Sequence, residues 1–151
     1  ERRFSYKIDN ENIVLIDDYA HHPEEIKQVF KTLKSIYPNE HLLAVFQPHL
    51  FSRTRDLLDE FADVLSEFDA VILPTCPILP PNFERLKSDN GYYVSQNLMA
   101  LRNTRLANLL GLCALTVPTN HPSCGVSIMA LPKMEEKLLR LSRAAELAIR
   151  K

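Results

Sequence analysis

Two short apolar runs, residues 42–46 and 70–73, bracket a segment with helical patterning, and this spacing constrains the first half of the chain most. A continuous apolar run of four or five residues reads as a strand covered on both faces. Between the runs, Leu57, Leu58, Phe61, Val64 and Leu65 recur at helical spacing, so a helix is expected over about 54–66. Strand, helix, strand on connections this short implies a right-handed crossover and a parallel sheet.

The flanking segments extend the same alternation. Residues 4–8 and 12–16 read as strands joined by a turn at Asp9-Asn10-Glu11. Pro23 in a first turn, Glu24 and Glu25 at the positive end of the dipole, and the stripe Ile26, Val29, Phe30, Leu33, Ile36 predict a helix that Pro38 ends. Beyond residue 73 the texture changes. Pro74, Pro77, Pro80 and Pro81 mark a stiff, extended connection. A helix is then expected over about 95–110, closed by Gly111. Strands are expected at 114–117 and 126–130, and a last helix from near Pro132 to the C-terminus. The expected fold is one α/β domain over residues 1–151, a Rossmann-like three-layer sandwich. Its sheet would be mostly parallel, with five to six strands and helices on both faces.

Composition narrows the function classes. With 151 residues, 46% of them hydrophobic and 25% charged, the chain has the makeup of a soluble globular protein. Its net charge of −1 argues against nucleic acid as a partner. The apolar runs stop well short of membrane-spanning length, and no secretory leader is visible, so no membrane partner is expected. Cys76, Cys113 and Cys124 form no CxxC pair, and an odd count fits a reducing, cytoplasmic setting. Charge is unevenly spread. Residues 1–69 hold 8 Lys/Arg against 14 Asp/Glu, a net of −6, while residues 70–151 hold 10 against 5, a net of +5.

Residues 2–73 carry a specific set of blocks: Arg2-Arg3-Phe4, Asp17-Asp18-Tyr19-Ala20-His21-His22-Pro23, Phe46-Gln47-Pro48-His49, Ser52-Arg53-Thr54-Arg55-Asp56 and Asp59-Glu60-Phe61. In this combination the segment resembles the C-terminal domain of the Mur ligase family, in the branch that joins L-alanine to UDP-N-acetylmuramate. Both long blocks follow the C-terminal ends of expected strands, where α/β sheets place ligands. The resemblance implies that Tyr19 and His21 face a nucleotide, and that His49, Arg53 and Arg55 face phosphates or carboxylates. Leu50 stands where the family usually has an arginine, which removes one bidentate anion clamp. With only Gly91, Gly111 and Gly125, the chain has no glycine-rich phosphate cradle. ATP and magnesium therefore enter only as cofactors of a larger ligase, and none is expected for the chain alone.

Residues 69–151 resemble the C-terminal part of amidase-signature hydrolases. The carriers are Asp69-Ala70-Val71-Ile72-Leu73-Pro74-Thr75-Cys76-Pro77, Leu101-Arg102-Asn103-Thr104, Asn108-Leu109-Leu110-Gly111-Leu112, Val117-Pro118-Thr119 and Glu135-Glu136-Lys137-Leu138-Leu139. That resemblance implies scaffold alone. The family's catalytic lysine and two serines lie in a stretch with no counterpart here, so no catalytic residue is assigned. A metal pair of His121 and Cys124 provides two ligands only, too few for zinc.

The two resemblances meet near residues 68–73, where the charge sign also changes. Three functional readings follow from this. The first is a chimeric domain, recombined or engineered, without a complete active site. The second is the C-terminal module of an ATP-dependent peptidoglycan-precursor ligase, with weak nucleotide or UDP-sugar binding. The third is a self-associating assembly domain, a homodimer that covers an open sheet edge.

Overall fold

A computed structural model describes residues 3–47 and 51–149. The fold divides into two compact units, Glu1–Leu42 with Pro48–Phe68, and Leu43–Gln47 with Asp69–Lys151.

The first unit opens with an antiparallel hairpin of β1 (Ser5–Asp9) and β2 (Val14–Asp17). The turn closes as the sequence predicts. The Asn10 side chain accepts the Asn12 and Ile13 N–H groups at 2.9 and 3.0 Å, a local bond that asparagine makes readily. Helix α1 (Pro23–Ile36) spans the bounds that its caps imply. His22 is the N-cap and Pro23 sits at N1, where a missing N–H costs nothing. Tyr37 caps the far end through its N–H to Leu33 O at 2.7 Å. The Tyr37 phenol, hydrogen-bonded to that of Tyr6 and near Asp9, is pushed up to about 12.

The helix expected over 54–66 is two helices, α2 (Phe51–Asp56) and α3 (Leu58–Ser66), broken at Leu57. Leu57 has φ −120° and ψ 35°, outside the helical range, and its side chain makes no capping bond to α3. Ile26 and Phe30 of α1, and Phe61, Val64 and Leu65 of α3, are buried. Phe30 meets Phe68 edge-on with ring centroids 4.9 Å apart, a favoured aromatic geometry.

The second unit holds a four-stranded sheet in the order β3-β4-β6-β5. Its strands are β3 (Leu43–Val45), β4 (Ala70–Pro74), β5 (Cys113–Pro118) and β6 (Gly125–Ala130). Here the sequence expectation needs correcting. Only β3 and β4 run parallel, whereas β4–β6 and β6–β5 are antiparallel. The reason is connection length. Six residues separate β5 from β6, and a parallel crossover needs a dozen or more. Among the described residues the mostly parallel sheet of five to six strands is therefore replaced by two sheets, of two and four strands. Nor is β3 covered on both faces. It lies at the sheet edge with Leu43 and Val45 exposed.

Pleat alternation sorts the strand residues. Ala70, Val117, Ile128 and Ala130 form a cluster with Leu138 of α7 (Glu135–Ile149), supported by Ile72, Leu115, Leu141 and Ala145. Val71, Leu73 and Met129 lie on the opposite face and are buried too. On that face the hydroxyls of Thr75, Thr116 and Ser127 interlock, with Thr75 Oγ1 2.8 Å and Thr116 Oγ1 3.2 Å from Ser127 Oγ. The buried Asn103 amide donates to Pro74 O at 2.7 Å.

Between β4 and β5 run α4 (Phe83–Ser88), α5 (Asn90–Ala100) and α6 (Thr104–Leu109), where a single helix over 95–110 is expected. Gly111 follows with φ of 61°, the left-handed conformation its capping position calls for. Asn82 and Asp89 cap α4 and α5 by accepting the Arg85 and Tyr92 N–H groups, each at 2.9 Å. Among the described residues no helix is long and apolar enough to cross a membrane.

Candidate functional site

The connection from β2 to α1 is five residues, Asp18 to His22, and it is tied down at both ends. Asp18 works as a double acceptor. Its Oδ1 takes the Ala20 N–H and its Oδ2 the Phe4 N–H, both at 2.7 Å. The first bond tightens the loop and the second anchors it to the start of the hairpin. At the other end Glu25 accepts the N–H groups of His21 and His22 at 3.0 and 3.2 Å. His22 in return accepts the Glu24 N–H on its Nδ1 at 3.4 Å, completing a capping box with histidine in the usual serine position.

Ionisation of Glu25 follows from this arrangement. The His21 N–H is the main cause holding its carboxyl below the ordinary glutamate value, and the His21 and His22 charges act in the same direction. Partial burial opposes them. Glu25 is thus a carboxylate near neutral pH, seated where the helix dipole also favours a negative charge.

The backbone so fixed presents two rings. Tyr19 is 57% exposed. Its ring centroid lies 5.0 Å from that of His21 at an interplanar angle of 56°. The His21 Nδ1 sits 3.0 Å from Tyr19 O and 3.2 Å from Glu25 Oε2. The result is an exposed phenol and a braced imidazole on a short loop at the C-terminal end of a strand. Such a pair can stack on a flat ring and exchange hydrogen bonds with a polar ligand.

The other residues singled out by sequence fare differently. Arg53 lies on α2, and its Nη1 is buried without a hydrogen-bond partner among the described residues. A buried, unsatisfied guanidinium nitrogen is costly and suits an anion. His49 and Leu50 fall outside the described residues, as does the Arg55 side chain. Asp17 faces Lys7 at 3.8 Å on the exposed hairpin, a weak surface pair. In the second unit His121 and Cys124 do meet, Nδ1 to Sγ, at 3.4 Å.

Sequence reasoning credited Glu25 with the helix dipole and no more. The signal for its larger role was its position three residues after the capping His22, the spacing of a capping box. An aspartate that ends a strand can cap the following turn, as Asp18 does toward Ala20. Its bond to Phe4 joins residues fourteen apart in sequence, which local patterning does not reveal.

Comparison with known proteins bears on residues well beyond the loop. The family model for the Mur ligase, glutamate ligase domain, matches residues 2–90. The UDP-N-acetylmuramate--L-alanine ligase of Christiangramia forsetii is 62% identical over 73 residues, covering 48% of this chain and 16% of that protein. That of Flavobacterium johnsoniae is 60% identical over 72 residues, with the same two shares. The ligase of Vesicomyosocius okutanii is 41% identical over 114 residues, covering 69% of this chain and 24% of that protein. The chain thus spans between a sixth and a quarter of the length of these relatives. The family match runs to residue 90, and a likeness over 69% of the chain cannot fit within its first 73 residues. Ligase likeness therefore continues past the seam expected at 68–73. An amidase-signature half, and the chimeric origin built on it, find no support in these comparisons.

Proposed function

The chain belongs to the Mur ligase family, through its glutamate ligase domain, and on that premise we propose that it is the C-terminal nucleotide- and substrate-binding module of an ATP-dependent UDP-N-acetylmuramate–L-alanine ligase. The observation that carries this reading is the loop after β2, where Asp18 and Glu25 hold Tyr19 and His21 toward solvent.

In this reading the Tyr19 ring packs on a nucleotide base and His21 binds a polar group beside it. Arg53 supplies the cation. Its buried, unpartnered Nη1 fits a phosphate or carboxylate oxygen. His49 and Arg55 join the anion side by resemblance alone. Leu50 offers no guanidinium, so anion binding by this module is weak. The triphosphate cradle and the magnesium ligands fall to other parts of the ligase, as the chain has no glycine-rich loop. Among the described residues no group of three His, Cys, Asp or Glu converges. Catalysis of peptide ligation, with ATP phosphate as the activating group, belongs to the assembled cytoplasmic enzyme and not to this module alone.

Calorimetric titration of the chain with ATP and with UDP-N-acetylmuramate tests the proposal. Weak binding is expected, reduced by Tyr19→Ala and by Arg53→Ala with the fold intact by circular dichroism. Absence of heat at millimolar concentrations of both ligands would remove this reading.

A further inference from the structure

The two neighbouring histidines of the loop place their Nδ1 atoms in opposite hydrogen-bonding surroundings. His22 Nδ1 accepts the Glu24 N–H, so in its neutral form the ring proton is on Nε2. His21 Nδ1 faces two oxygens instead, the Tyr19 carbonyl at 3.0 Å and the Glu25 carboxylate at 3.2 Å. Neither oxygen carries a proton to give. The peptide carbonyl is an acceptor only, and the same Glu25 oxygen already accepts two backbone N–H groups. A ring nitrogen in that position must be the donor. The neutral His21 ring is then Nδ1–H, with its lone pair on Nε2.

We infer that Glu25 is a positioning residue that locks His21 as the Nδ1–H tautomer and so makes Nε2 the ring atom offered to a ligand. This role rests on the reading of the loop as ligand-facing, and it deepens that reading. An Nε2 lone pair accepts a hydrogen bond, so the group it suits on a neutral-pH ligand is a hydroxyl or an amine. The tilted Tyr19 ring at 5.0 Å limits how His21 turns, and the contact of Nδ1 with the Tyr19 carbonyl at 3.0 Å limits it further. The carboxylate then acts on the imidazole as the neighbouring acceptor that sets which nitrogen of a histidine is free. One carboxylate therefore does two jobs here, capping α1 and orienting the ring.

The test separates those jobs. Long-range proton–nitrogen spectra of the 15N-labelled chain, taken where both histidines are neutral, report each tautomer directly. Wild type is expected to show His21 as Nδ1–H and His22 as Nε2–H. In Glu25→Gln the carboxamide oxygen keeps the cap and the charge is lost, so helix content holds while the His21 preference weakens. In Glu25→Ala the ratio of Nδ1–H to Nε2–H at His21 falls by about fivefold, the upper range for an exposed pair. His21 found as Nε2–H in wild type overturns the inference. So does an unchanged ratio in Glu25→Ala, which would leave the Tyr19 carbonyl as the sole determinant. Nucleotide binding is read separately. A chain with the expected tautomers that binds no ligand refutes the proposed function and leaves the positioning role standing. Binding without the tautomer does the reverse.

Discussion

Ser142 lies on α7 with 4% of its surface exposed, and its Oγ is buried without a hydrogen-bond partner among the described residues. Replacing it with alanine removes the hydroxyl and little else. An unsatisfied buried hydroxyl costs about 1–3 kcal/mol, which the substitution recovers. Alanine also exceeds serine in helix propensity by roughly 0.5 kcal/mol. Taking the low end of the first contribution, Ser142→Ala is expected to stabilise the fold by about 1.5 kcal/mol. For a chain of this size that corresponds to a rise of about 3–6 °C in Tm. The measurement is urea and thermal denaturation followed by far-ultraviolet circular dichroism, in which the urea midpoint should rise at constant slope. Ser95→Ala on α5 is the control. Ser95 is exposed, so it reports propensity alone and should gain only roughly 0.5 kcal/mol. The difference between the two variants isolates the buried hydroxyl. Equal gains would refute the reasoning, and a net loss for Ser142→Ala would show that the hydroxyl is partnered in solution.

Two further outcomes follow from close contacts and caps. A Cβ added at Gly125 would lie 2.8 Å from Thr116 Cγ2 and 3.2 Å from Thr75 Oγ1, so Gly125→Ala should destabilise by about 1–3 kcal/mol, whereas Gly91→Ala in α5 meets nothing closer than 3.4 Å and should be neutral or stabilising; the same denaturation curves rank them. Glu25 has a folded-state pKa below its unfolded value, so its contribution is complete above the ordinary glutamate range and is lost as pH falls through the lower, folded value; thermal stability measured down that acid limb should decline less steeply in Glu25→Gln than in wild type.

Local chemistry made much of the fold legible. Helix α1 was readable end to end, because Pro23, the acidic first turn and the apolar stripe all act within one or two turns. The hairpin turn at Asn10 was readable for the same reason. Helix α4 and the start of α5 lie outside the helix expected over 95–110, yet Asn82 and Asp89 stand three residues before the N–H groups they cap, so both starts carry a local signal. The break at Leu57 is a harder case. An apolar stripe continues across it, and periodicity cannot register a φ/ψ change at one residue.

At the candidate site, sequence alone determined which residues share the loop from Asp18 to His22 and that Glu25 stands at capping distance from it. That much follows because turns, caps and helix faces depend on neighbours a few residues away. Tertiary structure decided the rest. It set the antiparallel placement of β6 between β4 and β5, and the edge position that exposes Val45. It also set the bond from Asp18 to Phe4 and the buried, unpartnered nitrogen of Arg53. Each of these depends on atoms brought together through space, whose distances and desolvation exist only once the chain has closed on itself.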